Sequence, residues 1–145
     1  MRILFLVFIP KMFGFSSTNY EVCISPYLAM IIQGEAPNEP FEGKIAVAQV
    51  VLKRAGWDMD KVKEVIFAKG QFDGVRTRRF YHPTSEDYYA AVQAYLGPKI
   101  VDATYFANAR TATDHSWLRR LKPIKKIGNH TFYEFRRISS VRVQS

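Results

Sequence analysis

The chain has 145 residues, 48% hydrophobic and 23% charged, which suits one domain with a single core and excludes disorder as its main state. Its 21 Lys and Arg against 13 Asp and Glu leave a net charge of +8, favouring a polyanionic partner: nucleic acid, an anionic membrane surface, or a wall rich in phosphate and carboxylate. The one cysteine, Cys23, rules out an intramolecular disulfide and a cysteine-built zinc cage, and no apolar run reaches the roughly 18 residues of a membrane-spanning helix.

In chain order, Arg2 precedes the apolar run Ile3–Ile9, followed by Pro10 and Lys11. The segment reads two ways: as a short signal-like peptide with Gly14 and Ser16 as small residues before a cut, or as a terminal strand or apolar arm, since the run is β-branched and aromatic. Ser25-Pro26 then opens a helix, a capping residue followed by a proline suited to the first helical position. Leu28, Ile31 and Ile32 form its apolar stripe, and Glu35 takes the next position of that stripe before Pro37 and Pro40 end the helix. Phe41 to Ala55 reads as a second helix, apolar on most sides. A third is expected from about Met59 to Ala68, capped by Asp58 or Asp60. Gln71 to Pro83 has no period, and its three arginines with Phe80-Tyr81 read as loop and short extended structure walling a cleft. Thr84 with Asp87 resembles a capping box, opening a helix that stops at Gly97-Pro98. Ala103–Ala107 and Ile127–Phe135 read as strands, with a short helix over Asp114–Leu121 between them. The basic stretch from Arg136 reads as a loose end. These boundaries give an arm or signal-like segment over 1–24, a folded domain over 25–135 and a basic tail over 136–145.

Glu35 is the sharpest candidate. A carboxyl on an apolar stripe is desolvated, which raises its pKa; such an acid can hold a proton near neutral pH and deliver it to a leaving oxygen, as glycosidic cleavage requires. A buried Glu tied to an arginine or to backbone amides for structure is the commoner outcome of that position alone. Glu39, between two prolines just beyond, could line the same cleft, whereas Glu42 suits the first turn of the second helix. The histidines His82, His115 and His130 stand alone, and His130 reads as a turn or core residue. No metal-binding, P-loop or serine-elbow motif occurs, so no metal or other cofactor is expected. Basic residues interleaved with Trp117, Phe132 and Tyr133 could bind single-stranded nucleic acid, but no nucleic-acid module accompanies them and no such partner is expected.

Five blocks together resemble one family. Gly34-Glu35-Ala36-Pro37-Asn38-Glu39-Pro40-Phe41-Glu42-Gly43 resembles the AEA-x-G-E-P-x-x-G opening of the SleB/CwlJ-type cell wall hydrolases. Ile45–Arg54 resembles the VAVAxVVLNR helix that follows. Val65-Ile66 with Gly70-Gln71-Phe72, Tyr105–Asn108 with Thr111-Ala112, and Ile127–Tyr133 match the later blocks in family order. The resemblance implies an α+β fold: a mainly helical body similar to lysozyme-like lytic transglycosylases, with a small antiparallel sheet beside the cleft. It implies an enzyme cutting the glycan of peptidoglycan, with Glu35 as catalytic acid and then base, leaving a 1,6-anhydro end, or else a plain muramidase. Glu39, Gln71, Phe72, Tyr105, Asn108, His130 and Tyr133 are the implied substrate-binding residues. The implied partners are peptidoglycan glycan strands and an anionic wall surface, with action at the bacterial cell wall.

The chain departs from the family pattern in four places. Gly34 stands where Ala is usual, Pro37-Asn38 replaces a basic-Gly pair, Asp73 follows Gln71-Phe72, and Asp114–Lys126 differs throughout. No wall-binding repeat accompanies the blocks, so a bare catalytic unit is expected, as in a phage lytic enzyme, a virion component or a secreted hydrolase. The rivals are a structural virion or wall-associated protein on the same scaffold with reduced activity, and a basic nucleic-acid-binding module.

Overall fold

The computed structural model describes residues 3–7, 20–108, 110–111 and 116–136. The expectations for Gly14, Ser16, Ala112, Asp114, His115 and the tail beyond Arg136 lie outside the described residues. Strands β1 (Ile3–Val7) and β2 (Tyr20–Ile24) pair antiparallel, Ile3 opposite Ile24. Helix α1 (Pro26–Glu35) follows, with Pro26 in its first turn; Ser25 stands at the N-cap but its hydroxyl makes no capping bond. Leu28, Ile31 and Ile32 are completely buried, so the apolar stripe faces the core and carries Glu35 to the helix end.

Helix α2 (Phe41–Arg54) is the central element: every residue from Gly43 to Leu52 is buried. It follows that two polar side chains on it, Lys44 and Gln49, are inside rather than in solvent. Lys44 Nζ donates to Asp87 Oδ1 at 2.8 Å and lies 3.2 Å from Glu86. Gln49 donates to the carbonyl of Pro98 and accepts from the amides of Ile100 and Val101 at 2.8 and 3.2 Å. A buried amide satisfied on both ends pins the 98–101 segment to α2.

The third helix is shorter than its sequence pattern. Asp58 caps a 3₁₀ turn at Met59–Lys61, its carboxylate accepting from the amide of Asp60 at 2.9 Å, and α3 spans only Val62–Phe67. The expected extended stretch after it is instead two 3₁₀ turns, Gly74–Arg76 and Arg78–Tyr81. Tight turns suit a segment that must fold back against α1. Helix α4 (Ser85–Leu96) opens on the capping box, Thr84 and Asp87 each binding the other's backbone amide.

Strands β3 (Tyr105–Asn108), β4 (Leu121–Ile127) and β5 (His130–Phe135) form an antiparallel sheet in the order β3-β5-β4. The single strand expected over Ile127–Phe135 is therefore the second arm of a hairpin. The expected helix over Asp114–Leu121 contracts to a 3₁₀ turn at Ser116–Arg120, and Leu121 begins β4. The hairpin turns at Gly128, where φ is +58° and a Cβ would sit 1.9 Å from Glu39 Oε2, so both backbone and space require glycine. β4 is an edge strand whose register shifts around exposed Ile124, and its proline and lysines are edge-compatible residues that discourage pairing with another chain.

The main core joins α1, α2, α3 and α4 through Leu28, Ile31, Leu52, Ile66 and Ala91, with Phe80 of the second 3₁₀ turn packed among them. A second cluster, with Val47, Val50, Ile127 and Phe132, seats the sheet on α2. The described residues form a mainly helical body with a small antiparallel sheet, as the α+β expectation has it.

Candidate active site

A cleft of about 860 Å³ lies between the C-terminal end of α1, the 70–79 segment and the sheet. Glu35 lines it as the last residue of α1. The carboxylate is half-buried, and its Oε1 accepts the amide of Gly74 at 2.6 Å. Burial raises its pKa above the ordinary 4.5; the Gly74 amide opposes this, the nearby Asp73 carboxylate adds to it and Arg79 opposes it, with a net upward shift. The bound Gly74 amide occupies Oε1, which leaves Oε2 to carry the proton.

The sign of this shift fixes its effect on stability. The native state holds the Glu35 proton more tightly than the unfolded chain, so between the two pKa values it binds more protons. Stability from this group is therefore highest at low pH and falls as pH rises from the unfolded value through the raised native one. Glu35→Gln removes that loss, so at neutral pH the variant should melt no lower than the parent, as thermal unfolding at pH 4 and pH 7 will check.

The approach that places Gly74 on Glu35 depends on two glycines. A Cβ at Gly34 would lie 2.8 Å from Gly74 O, and one at Gly74 would lie 2.7 Å from Gly34 C. Arg79 Nε donates to Gly34 O at 3.0 Å and Thr77 Oγ1 to Gly74 O at 2.7 Å, tying the 3₁₀ turns to the helix end. The glycine that departs from the family's usual alanine thus has a local reason. Gly34→Ala should cost about 1–3 kcal/mol, the range for overpacking a tight contact, and should lower turnover by displacing the Gly74 amide; denaturant unfolding and a turnover assay will test both.

The other sequence-chosen residues divide. Gln71, Phe72, Tyr105 and Asn108 line the cleft. Asn108 Oδ1 also accepts the amide of Arg110 at 3.0 Å. Glu39 lines the cleft too, but its two oxygens accept from the backbone and side-chain amides of Asn129 at 2.9 and 3.0 Å, so it clamps the β4–β5 turn. His130 borders the cleft while only 5% exposed, with its ring against Phe106. Burial lowers its pKa, offset in part by Glu39, and Nδ1 has no hydrogen-bond partner, 3.8 Å from Glu39 Oε1. Tyr133 is a correction: it is absent from the lining. It stands directly opposite Tyr105 in the β3–β5 ladder and so shares that residue's face of the sheet, away from the buried Phe132.

Gly74, Thr77 and Arg79 also line the cleft, within the 71–83 segment expected to wall it, though none was singled out as a site residue. Arg54, Trp117 and Asn129 line it as well and were missed; Arg54 simply ended an apolar helix. Among the described residues, no group of three or more His, Cys, Asp or Glu side chains could hold a metal ion.

Residues 38–133 match the family model described as Cell Wall Hydrolase. The chain belongs to the cell wall hydrolase family. Glu35 lies just upstream of the matched segment but inside the longer similarity to individual relatives. The chain is 34% identical over 125 residues to a spore cortex-lytic enzyme of Bacillus subtilis, covering 83% of this chain and 39% of that protein. It is 36% identical over 123 residues to one from Halalkalibacterium halodurans, 82% of this chain and 36% of that protein. The chain thus spans about two-fifths of the curated relatives it matches. Among solved structures it is similar to the catalytic domain of the germination-specific lytic transglycosylase SleB from Bacillus anthracis, with TM-score 0.66 and 33% identity over 74% of this chain and 91% of that one. The SleB catalytic domain from Bacillus cereus gives TM-score 0.64 and 31% identity, over 77% and 92%. This member of the family therefore has the fold of those catalytic domains.

Proposed function

We propose that the chain cleaves the β-1,4 bond between N-acetylmuramic acid and N-acetylglucosamine in peptidoglycan, as a lytic transglycosylase at the bacterial cell wall. The observation that carries this reading is Glu35 at a helix end inside a polar cleft, its pKa raised by burial and one oxygen held by Gly74. The similarity to SleB catalytic domains supports the same chemistry. The protonated Oε2 gives its proton to the glycosidic oxygen as the C1–O bond breaks. The muramyl 6-hydroxyl then attacks C1 and its proton passes to the same carboxylate, restoring the acid and closing a 1,6-anhydro ring. One carboxyl suffices because the second nucleophile is internal to the substrate. Glu39 is a poor second base, since both its oxygens are engaged by Asn129. An acid retained in a desolvated setting also favours the enzyme over an inactive scaffold.

The raised pKa sets the pH response. Only protonated Glu35 starts the cycle, so kcat/KM should fall as pH rises through its native pKa, placing the basic limb above the ordinary 4.5. A pH–rate profile on soluble glycan strands checks this; a limb at the ordinary carboxylate value would argue against Glu35 as the acid.

The wall is anionic, and the basic residues Arg119 and Arg120 of the 3₁₀ turn and Lys122 and Lys126 of the edge strand β4 that follows it are exposed. Long-range attraction is screened by salt, with a Debye length shrinking to several ångströms by about 0.3 M. Activity on whole walls should decline over that range, and reversing those four residues to Glu should lower it and flatten the salt response. Unchanged rate and salt profile in the reversed variant would give the charge another role.

A further inference from the structure

Arg54 has no place in the acid–base chemistry, yet it occupies the cleft wall. It ends α2, half-buried. Its guanidinium lies 4.9 Å from the centre of the Phe72 ring and 5.6 Å from that of Tyr105, so two aromatic faces hold the group against the wall. Its one polar partner among the described residues is the neutral amide of Gln71, where Nη2 donates to Oε1. Of the other charged side chains lining the cleft, Glu35 is engaged by Gly74, Glu39 by Asn129 and Arg79 by Gly34 O, while Asp73 acts on Glu35 and makes no ion pair with Arg54. Burial lowers the pKa of Arg54, opposed by Tyr105, while the guanidinium stays ionised at any working pH. The result is a fixed, partly desolvated cation facing substrate space, with no ion pair to a carboxylate among the described residues.

Resting on the glycan-cleaving reading above, we infer that Arg54 is a substrate-positioning subsite that binds a carboxylate carried by the muramyl residue. A planar fork suits a carboxylate better than a sugar hydroxyl. Two sources on the strand offer that chemistry: the lactyl carboxylate of a muramyl residue without its peptide, and a carboxylate of an attached stem peptide. Gln71 sets the in-plane angle of the fork, and the Phe72 and Tyr105 faces keep it from turning away.

The test uses the whole chain and four soluble substrates: peptide-bearing strands and peptide-stripped strands, each with carboxylates free or converted to amides. For the wild type, amidation should lower kcat/KM about tenfold, mainly through KM, in one of the two strand types, and that type identifies the source. In Arg54→Met the penalty of amidation should vanish, and in Arg54→Lys it should be intermediate, because charge remains without the fork. A residue that only packs would slow all four substrates alike. Wild-type cleavage indifferent to amidation in both strand types would overturn the subsite without needing any variant, and an equal amidation penalty in wild type and Arg54→Met would do the same. If the wild type cleaves none of the four, the glycan-cleaving reading itself fails and the subsite falls with it.

Discussion

Glu35→Gln should leave a folded protein that releases glycan fragments at a rate about 10²–10⁴ lower, the usual loss on removing a general acid. The amide keeps the size of the side chain, and its carbonyl oxygen can still accept the Gly74 amide that now binds Oε1 at 2.6 Å. What it lacks is a proton at the other terminal atom. Fragment release measured alongside circular dichroism separates the two effects. Near-parental turnover would remove Glu35 from the chemistry, and a collapsed spectrum would show that its burial is structural.

The largest loss of stability is expected far from the cleft. Asp87 is fully buried and accepts from Lys44 Nζ at 2.8 Å, from the Thr84 amide at 2.7 Å and from the Thr84 hydroxyl at 2.9 Å. Asp87→Ala removes the capping box of α4 and leaves the Lys44 ammonium, 4% exposed, with only the partly exposed Glu86. Breaking one side of a buried ion pair costs about 3–5 kcal/mol. Urea unfolding should show that loss, with turnover preserved at temperatures where the variant is folded. Adding Lys44→Met should recover part of it, because no charge is then left buried alone. Simple additivity of the two substitutions would mean that they do not act as a pair.

The parts of this molecule legible from sequence are those whose signal is local. An acid on the Leu28/Ile31/Ile32 stripe marked Glu35, and Thr84 three residues before Asp87 marked the start of α4. The Lys44–Asp87 pair was not legible as a pair, because its members are 43 residues apart and a lysine on a helix ordinarily reads as solvent-facing. Gln49 was hidden in the same way, since its partners are backbone groups beyond the next helix. β4 escaped notice because it buries only its ends, Leu121 and Ile127, with a proline and three lysines between them. The family blocks supplied most of the cleft wall but not its extent: Tyr105 and Tyr133 are both in matched blocks and share one face of the sheet, and only the former lines the cleft. Arg54 was in a matched block as well, but a cation stacked between two rings from distant segments has no signature in its own neighbourhood.

The central claim is that one carboxyl, Glu35, cuts the strand by handing the proton to the glycosidic oxygen and taking it back from the muramyl 6-hydroxyl. Digestion of purified peptidoglycan followed by mass analysis of the new chain ends tests it most directly. The account predicts 1,6-anhydromuramyl ends, lighter than the hydrolysed product by one water, from the parent protein and none from Glu35→Gln. Reducing muramyl ends from the parent, or anhydro ends made equally well by Glu35→Gln, would contradict it.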